Sequence, residues 1–204
     1  MTVENWLLTA ESRIPRSAPD PARRAHRERL IAWREALSPD MRQRADAALT
    51  QALRAELERW PVGVLGIYWP IRGEFDPLGA CDAWIEAGGK LALPRAPGKA
   101  QALEFGLWRP GQAVEAGPWG AALPSPFVRV RPDLLLVPCV GYGASGLRLG
   151  YGGGYYDRTL AQLRVPAIGL AYEACELSGI EPDAHDVPMD CIITERRVLH
   201  PGRP

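Results

Sequence analysis

The sequence predicts an α/β protein built as three layers, α/β/α, in which N-terminal helices pack on a largely parallel, open sheet. Two observations support this prediction. Short and almost entirely apolar runs recur along the chain, and such runs are typical of strands buried on both faces. Segments with the three-and-four spacing of amphipathic helices alternate with them. Alternation of this kind is characteristic of a parallel sheet covered by helices.

Two helices are predicted before the first strand. Asp20-Pro21 provides an N-cap and a proline at the first helical position. Apolar or nearly apolar residues then follow at helical spacing on one face, and arginines occupy the other face. The first set is Ala22, His26, Leu30, Trp33 and Leu37, and the second set is Arg23, Arg24, Arg27, Arg29 and Arg34. Ser38-Pro39 starts a second helix, which we expect to continue to Trp60-Pro61.

After Pro61 the pattern changes to short strands. The predicted strands are 62–68, 90–95, 102–108, 133–140, 166–172 and 191–194, with 102–108 at an edge of the sheet. A helix is expected from Asp76 to about Gly88, and another from about Tyr155 to Arg164. The run DLLLVPCV, residues 133–140, has the strongest strand signal. Ligands bind beyond the carboxyl ends of parallel strands, so the glycine-rich stretch that follows this run lies where a ligand is expected.

Length and composition narrow the class of protein. The 204 residues suit one domain, 20–204, with an N-terminal extension over residues 1–19. The formal net charge of zero argues against a nucleic-acid or membrane partner, and no apolar run is long enough to cross a bilayer. The start of the chain lacks the features of a secretion signal. We therefore expect a cytoplasmic protein that acts on small molecules. The sequence carries no signal for the oligomeric state, which we expect to be a monomer or weak dimer.

The four cysteines are scattered and form no C-x-x-C pair. That pattern favours buried, reduced thiols over disulfides or a zinc site. Among the 24 basic residues, Lys90 and Lys99 are the only lysines, so the chain is strongly biased toward arginine.

The stretch LRLGYGGGYYDR, residues 147–158, combines glycines with two arginines and an aspartate. It could be a plain strand-to-helix connection, although residues 141–154 are longer than such connections usually are. Gly141 to Gly146 formally match the dinucleotide fingerprint G-x-G-x-x-G, but the third glycine should then lie in the opening helix, and eight residues intervene before Tyr155. A Walker loop would require a lysine, which is absent.

A phosphate cradle is the remaining interpretation of this stretch. Successive glycine amides and the start of a helix attract anions. Arg148 offers a two-pronged donor to phosphate oxygens, and Asp157 offers a ligand for Mg²⁺. A nucleoside triphosphate with Mg²⁺ would engage every charged group of the stretch, whereas a plain turn would engage none.

The stretch RLGYGGGYYDR resembles the glycine-loop motif of 5-formyltetrahydrofolate cyclo-ligases, also called methenyltetrahydrofolate synthetases. Five further segments are similar to segments of that family and follow in the family's order. They are ALSPD (36–40), YWPIRGEFDP (68–77), ALPR (92–95), PWGAALPSP (118–126) and HDVPMDCIITE (185–195). The resemblance thus spans residues from about 20 to 195. It implies ATP- and Mg²⁺-dependent conversion of 5-formyltetrahydrofolate to 5,10-methenyltetrahydrofolate, through a phosphorylated formyl group, with release of ADP and phosphate.

The resemblance also implies site residues. ATP would be bound by Arg23, Arg24, Arg27, Arg148, Gly150, Gly152, Gly153, Gly154, Tyr155 and Tyr156. The folate would be bound by Trp69, Glu74, Trp119, Tyr151 and Tyr155, with the Glu74 carboxylate on the pterin. Asp157 and Asp186 would hold Mg²⁺, and the catalytic residues would be Arg148, Tyr155 and Asp157.

Each of these roles has a structural alternative. Glu74 could be a solvated turn acid, and Trp69 and Trp119 could be core or edge aromatics. Arg23 and Arg24 stand where the family has a lysine, and Arg27 where it has an arginine; the row could equally be a solvated helix face. A guanidinium binds phosphate but does not replace a compact ammonium group, so this departure bears on the rate.

Two other functions remain open at this point. A relative that binds folate or nucleotide without turnover, as a buffer or sensor, would explain the arginines at the lysine positions. A nicotinamide-dependent oxidoreductase would explain the fingerprint match, and binding of the nicotinamide cofactor would distinguish it.

Overall fold

The structure is a computed structural model that describes residues 20–202. The extension predicted over residues 1–19 lies outside the described residues. The helices are α1 (Pro21–Glu35), α2 (Pro39–Leu57), α3 (Asp82–Glu86) and α4 (Tyr155–Leu163). None of the described helices combines the length and apolar character needed to cross a membrane.

Twelve strands are formed by the described residues. They are β1 (Val64–Gly66), β2 (Lys90–Arg95), β3 (Glu104–Trp108), β4 (Val114–Ala116), β5 (Ala122–Pro124), β6 (Arg129–Val130), β7 (Leu134–Pro138), β8 (Gly141–Tyr142), β9 (Arg148–Leu149), β10 (Ala167–Leu170), β11 (Cys191–Ile193) and β12 (Val198–Leu199). Eight of them form the main sheet in the order β12-β11-β10-β7-β1-β2-β3-β6, and β4-β5 and β8-β9 form separate hairpins. The five central strands from β11 to β2 are mutually parallel, and β3, β6 and β12 are antiparallel to their neighbours. The prediction of a largely parallel sheet is confirmed.

The central strand β7 shows how the three layers arise. Its residues alternate between the two faces of the sheet, because side chains along a strand point to opposite sides. Leu134 and Leu136 pack in the core cluster that contains residues of α1, α2 and α3. Leu135 and Val137 pack in a second cluster, which contains Leu160 of α4. Helices therefore cover both faces, as the three-layer prediction requires.

Helix α1 begins as predicted, and Leu30, Trp33 and Leu37 of the predicted apolar face pack in or against the core, but the first residues of that face do not. The side chain of Asp20 accepts a hydrogen bond from the amide of Ala22, and Ser38 caps α2 in the same way. Ala22 and His26, predicted on the buried face, are exposed. The buried residues are Leu30, Ile31 and Arg34. The prediction differs because it counted His26 as apolar and placed every arginine on the opposite face, including the buried Arg34.

Two further elements differ from expectation. The strand at 102–108 is not an edge strand, because β6 pairs with its outer side. Both edges of the sheet, β6 and β12, are strands of two residues, which are too short to give a periodic signal. The helix predicted from Asp76 is divided into a 3-10 turn, Leu78–Ala80, and the short α3.

The glycine-rich stretch is also divided. Gly141–Tyr142 and Arg148–Leu149 pair as an antiparallel hairpin, whose turn is closed by a bond from the Gly146 amide to the Gly143 carbonyl. Gly146 therefore lies in a hairpin turn and not in a helix, so the dinucleotide fingerprint is wrong. Only residues 150–154, called here the glycine segment, connect the hairpin to α4.

The four cysteines are free and buried, in agreement with the sequence prediction. Burial raises the pKa of Cys81, Cys139 and Cys191 to about 12 and that of Cys175 to about 11. Thiols with such pKa values stay protonated at neutral pH and are poor nucleophiles. This result argues against a catalytic cysteine.

Candidate active site

The candidate site lies where the strand order reverses. β1 and β7 are neighbours at the centre of the sheet. From β1 the chain continues to β2 on one side of this pair, and from β7 it continues to β10 on the other side. Ligands of open α/β sheets bind beyond the carboxyl ends of strands at such a point. The chain that leaves β1 there supplies Glu74, and the chain that leaves β7 supplies the hairpin and the glycine segment.

The glycine segment leads into a helix start that has no side-chain cap. Gly154, the N-cap of α4, has a φ of 63° and makes no side-chain hydrogen bond to the helix. Gly152 has a φ of 89°, which a residue with a side chain adopts only with strain. The first amides of a helix have no partner within it, so an uncapped helix start offers donors to an anion. This geometry agrees with the phosphate cradle predicted for these glycines.

Arg27 lies directly against the glycine segment. Its Nε donates to the carbonyl of Gly150 at 2.7 Å, and a Cβ built on Gly152 would lie 3.4 Å from its guanidinium. Within residues 20–202 its two terminal nitrogens have no hydrogen-bond acceptor. Partial burial and the nearby charge of Arg23 lower the pKa of Arg27, but an arginine remains charged at neutral pH. A half-buried cation with two free donors therefore faces the segment.

The other two arginines predicted for ATP have different surroundings. Arg23 donates to Asp186 Oδ2 at 2.7 Å and to the Glu181 carbonyl at 2.5 Å, so it joins α1 to the loop before β11. The hydrogen bond to Asp186 is the main reason that the pKa of Arg23 is raised. Arg24 points outward, is 73% exposed in its side chain and pairs with Glu28. The structure therefore brings Arg23 and Arg27 toward the site and leaves Arg24 at the surface.

Both terminal nitrogens of the Arg148 guanidinium donate hydrogen bonds within the protein. Nη2 donates to Asp157 Oδ1 at 2.6 Å, and Nη1 donates to the Val187 carbonyl at 2.7 Å. The side chain is only 4% exposed. In this arrangement Arg148 fixes the first turn of α4 and the loop before β11 relative to each other.

The two predicted Mg²⁺ ligands each contact an arginine. Asp157 accepts from Arg148 through Oδ1, and no donor among the described residues contacts its Oδ2. Asp186 accepts from Arg23 and from the Asp183 amide through Oδ2, which leaves Oδ1 without such a bond in the described part of the chain. In nucleotide sites Mg²⁺ is commonly held by one or two carboxylates together with substrate phosphates. One free carboxylate oxygen on each residue fits that chemistry.

Glu74 forms a cluster with Arg34, which is also buried, and with Tyr151, which is 38% exposed. This group is called here the Glu74 cluster. Tyr151 donates to Glu74 Oε1 at 2.9 Å, and Arg34 donates to the Tyr151 hydroxyl at 2.6 Å. The amide of Ile71 donates to Oε2 at 3.0 Å, and the Arg34 guanidinium lies 3.8 Å from Oε1. Burial raises the pKa of Glu74, against the effects of the Ile71 amide and Arg34. Glu74 is therefore not a solvated turn acid.

Sequence reasoning missed the two arginines that support this cluster. Arg34 was assigned to the polar face of α1, although it stands three and four residues after the buried Ile31 and Leu30. That spacing was the available signal. Arg42 of α2 donates to the carbonyls of Gly73 and Arg34 and holds the two chain segments together. A depression of about 410 Å³ opens beside them, lined by Glu35, Arg42 and residues 70–74.

The aromatic residues fall into two groups. Trp119 is 67% exposed, and its ring centroid lies 5.8 Å from that of Tyr155 at the start of α4. It also has a φ of 58°, a left-handed conformation that is uncommon for a bulky residue and concentrates at functional positions. Trp69 packs edge-on against Trp108 in the core, and Tyr156 packs against the α4 side of the sheet. The structure thus brings Trp119 to the mouth of the site, and it places Trp69 and Tyr156 in packing positions.

Comparison with known proteins agrees with the sequence resemblance. A family model described as the 5-formyltetrahydrofolate cyclo-ligase family matches residues 19–195. A protein of Mycolicibacterium smegmatis named 5-formyltetrahydrofolate cyclo-ligase is 28% identical over 204 residues, covering 95% of this chain and 94% of the relative. An Escherichia coli protein of the same name is 26% identical over 178 residues, covering 81% and 96% of the two chains.

Two solved structures share the fold. A 5,10-methenyltetrahydrofolate synthetase from Mycoplasma pneumoniae has a TM-score of 0.69 at 26% identity, covering 85% of this chain and 98% of its own. The corresponding synthetase from Aquifex aeolicus has a TM-score of 0.72 at 28% identity, with coverage of 89% and 95%. The fold similarity extends over nearly the whole of both neighbours.

Proposed function

The chain belongs to the 5-formyltetrahydrofolate cyclo-ligase family, and we propose from this that it closes 5-formyltetrahydrofolate to 5,10-methenyltetrahydrofolate with ATP and Mg²⁺, releasing ADP and phosphate. The observation that supports ATP most directly is that Arg27, whose terminal nitrogens have no acceptor among the described residues, contacts the glycine segment that leads into the start of α4, which has no side-chain cap. Backbone donors, a helix N-terminus and an arginine together form an anion site suited to phosphate.

The chemistry explains why such a site is needed. The oxygen of a formamide is a poor leaving group, so transfer of the γ-phosphoryl group to that oxygen converts it to a phosphate ester. The neighbouring N–H nitrogen of the folate then attacks the formyl carbon and loses its proton to solvent as the carbon–nitrogen bond forms, the carbon–oxygen bond breaks, and inorganic phosphate departs with the oxygen. Phosphoryl transfer depends mainly on positioning and charge stabilisation, and no side-chain nucleophile is required.

The residues of the glycine segment and its neighbours would supply that stabilisation. The amides before Tyr155 and the terminal nitrogens of Arg27 would bind the phosphoryl oxygens as negative charge moves onto them. Asp157 and Asp186 would hold Mg²⁺, which when bound supplies positive charge to the phosphates. Arg148 and Arg23 would act as positioning residues, because each orients one of these carboxylates.

The Glu74 cluster would bind the pterin end of the folate. A carboxylate can accept two parallel N–H donors from the aminopyrimidinone edge of a pterin. In the structure Tyr151 and the Ile71 amide already donate to Glu74, so the pterin would compete with the Tyr151 hydroxyl for one carboxylate oxygen. The ring of Trp119, beside Tyr155, would then cover one face of the bound substrate.

A turnover assay tests the proposal. Purified protein with Mg-ATP and 5-formyltetrahydrofolate should produce the methenyl chromophore and ADP in equal amounts, and omission of either ATP or Mg²⁺ should stop both. Calorimetry that shows folate binding with no ADP formed would instead favour a non-catalytic relative acting as a buffer or sensor. Absence of both folate binding and turnover would contradict the proposed function.

The metal assignment has its own test. We expect Asp157→Asn to raise the Mg²⁺ concentration needed for half-maximal rate, because the free oxygen becomes a neutral amide group. Asp40→Asn, an exposed acid in the first turn of α2, is the matched control and should leave the Mg²⁺ titration unchanged. A titration that is the same for Asp157→Asn and the parent protein would assign Asp157 a purely structural role.

A further inference from the structure

A second group of metal-ligating side chains lies away from the candidate active site. Glu56 is in the last turn of α2, Cys191 begins β11, and His200 follows β12. One carboxylate oxygen, the thiol sulfur and one imidazole nitrogen all lie within 4.8 Å of one another. Among residues 20–202 this is the only such group of three histidine, cysteine or acidic side chains. Cys191 is at the amino end of its strand, whereas the active site lies beyond the carboxyl ends of the parallel strands, so the two sites are at opposite ends of the strands.

Glu56 is a buried acid whose charge is incompletely compensated. The residue is 5% exposed, and its Oε1 accepts a hydrogen bond from Trp60 Nε1 at 3.3 Å. Its Oε2 accepts a hydrogen bond from Arg59 Nη1 at the long distance of 3.5 Å and lies 3.6 Å from His200 Nε2, and these are its hydrogen-bond and ion-pair partners among the described residues. The Arg59 side chain is 65% exposed, so solvent screens its charge. A buried carboxylate normally has a close partner, and here one oxygen lacks it.

We propose that Glu56, Cys191 and His200 form a binding site for a borderline-soft divalent cation of the zinc class. Tetrahedral coordination with Zn–ligand distances of about 2.0–2.3 Å separates neighbouring ligand atoms by about 3.3–3.8 Å. The observed 3.6 Å between Glu56 Oε2 and His200 Nε2 already matches that spacing. Three protein ligands leave a fourth position for water.

The ligand types separate this site from the Mg²⁺ site of the proposed reaction. Thiolate and imidazole favour zinc and similar metals, whereas Mg²⁺ requires oxygen ligands in an octahedral arrangement. On binding, the Cys191 thiol would release its proton to the buffer as the sulfur–metal bond forms, and His200 would bind as neutral imidazole through Nε2. Trp60 would continue to orient the carboxylate through Oε1, and the exposed Arg59 side chain would turn outward.

Cobalt(II) provides the direct probe, because a cobalt–thiolate bond gives a charge-transfer absorption that oxygen and nitrogen ligands do not. The full chain, without a histidine tag, reduced and stripped of metal, is titrated with Co²⁺ and then with Zn²⁺. We expect one equivalent of Co²⁺ to give the thiolate band, Zn²⁺ to abolish it, and a large excess of Mg²⁺ to leave it unchanged. The melting temperature should rise on Zn²⁺ addition, since the metal would bind only the folded arrangement.

Matched variants identify the ligands. Cys191→Ser should remove the thiolate band, and His200→Ala should weaken Zn²⁺ binding at least tenfold. Cys81→Ser, at an equally buried thiol, and His26→Ala, at an exposed histidine, should bind as the parent does. His200 is half-exposed, so its variant remains informative if Cys191→Ser does not fold. Absence of the band in the parent protein, or equal Zn²⁺ affinity in the parent and His200→Ala, would overturn the proposal, whatever the turnover assay shows.

Discussion

The glycine segment and the Glu74 cluster meet at Tyr151, yet they are built in opposite ways. The helix that follows the glycine segment has no side-chain cap, and the terminal nitrogens of Arg27 contact no acceptor in the described part of the chain. The Glu74 cluster is already satisfied, because both carboxylate oxygens accept hydrogen bonds and the side chains of Glu74 and Arg34 are each 3% exposed. A cation with unpaired terminal nitrogens thus lies beside the glycine segment, whereas the Glu74 carboxylate is already hydrogen-bonded within the protein, in what we call a closed network.

This difference suggests a division of labour between affinity and selectivity. Unpaired donors that need no reorganisation bind an anion with little penalty, but they distinguish poorly between anions. A satisfied network must exchange one hydrogen bond for another when a ligand enters, so a ligand that cannot replace the lost bond is rejected. We therefore expect the glycine segment to determine the rate of phosphoryl transfer and the Glu74 cluster to determine which folate is accepted.

Removal of Arg27, whose terminal nitrogens have no acceptor among the described residues, should give the largest loss of activity. Arg27→Ala deletes the two free donors beside the glycine segment, and we expect kcat/KM to fall by about 10²–10³, as for loss of one preorganised donor to a developing anion. Steady-state kinetics with varied ATP measure this. Arg24→Ala is the matched control, because Arg24 is a neighbouring arginine that points to solvent. Equal losses in the two variants would mean that α1 contributes only general positive charge.

Removal of Arg148, whose terminal nitrogens are both hydrogen-bonded within the protein, should instead lower the stability of the fold. Arg148→Ala leaves Asp157 and the Val187 carbonyl without their donor, and we expect the free energy of unfolding to fall by about 2–3 kcal/mol. Arg148→Lys should lose less, since it keeps the charge but not the two-pronged geometry. Urea unfolding measures both. Unfolding curves that coincide with the parent's, together with lost activity, would instead make Arg148 a direct phosphate ligand.

The glycine segment could be picked out from the sequence more directly than the Glu74 cluster, for a physical reason. Glycines, a helix start and nearby cations are local features, so residues 147–158 indicated an anion site without knowledge of the fold. The Glu74 cluster depends on contacts between positions far apart, such as Arg34 and Tyr151, 117 residues apart along the chain. Local periodicity also failed where tertiary contacts decided burial, as for Arg34, and where strands were only two residues long, as for β6 and β12.

Neutralising the satisfied carboxylate should give an intermediate effect that is confined to the folate. Glu74→Gln keeps an oxygen that can accept from Tyr151, but it loses the charge and one of two acceptors for a pterin. We expect kcat/KM for the folate to fall about 10–100-fold, as for loss of a charge-assisted hydrogen bond, with the KM for ATP unchanged. Glu86→Gln, at an exposed acid in α3, is the control. Equal changes for both substrates would contradict the division of labour.

The smallest effect should appear in the pH dependence of stability. Burial raises the pKa of Glu74 in the folded protein above the ordinary 4.5. Between the ordinary and the raised pKa the folded state therefore binds more protons than the unfolded state, so stability falls as pH rises through that interval. Glu74→Gln does not titrate, and the other carboxyl groups affect parent and variant alike. The stability of Glu74→Gln relative to the parent, from urea unfolding at several pH values, should therefore rise as pH increases from about 4 to 7. A difference that stays constant over this range would show that the Arg34 guanidinium and the Ile71 amide fully compensate the buried charge, and the closed network would then hold Glu74 ionised at no cost.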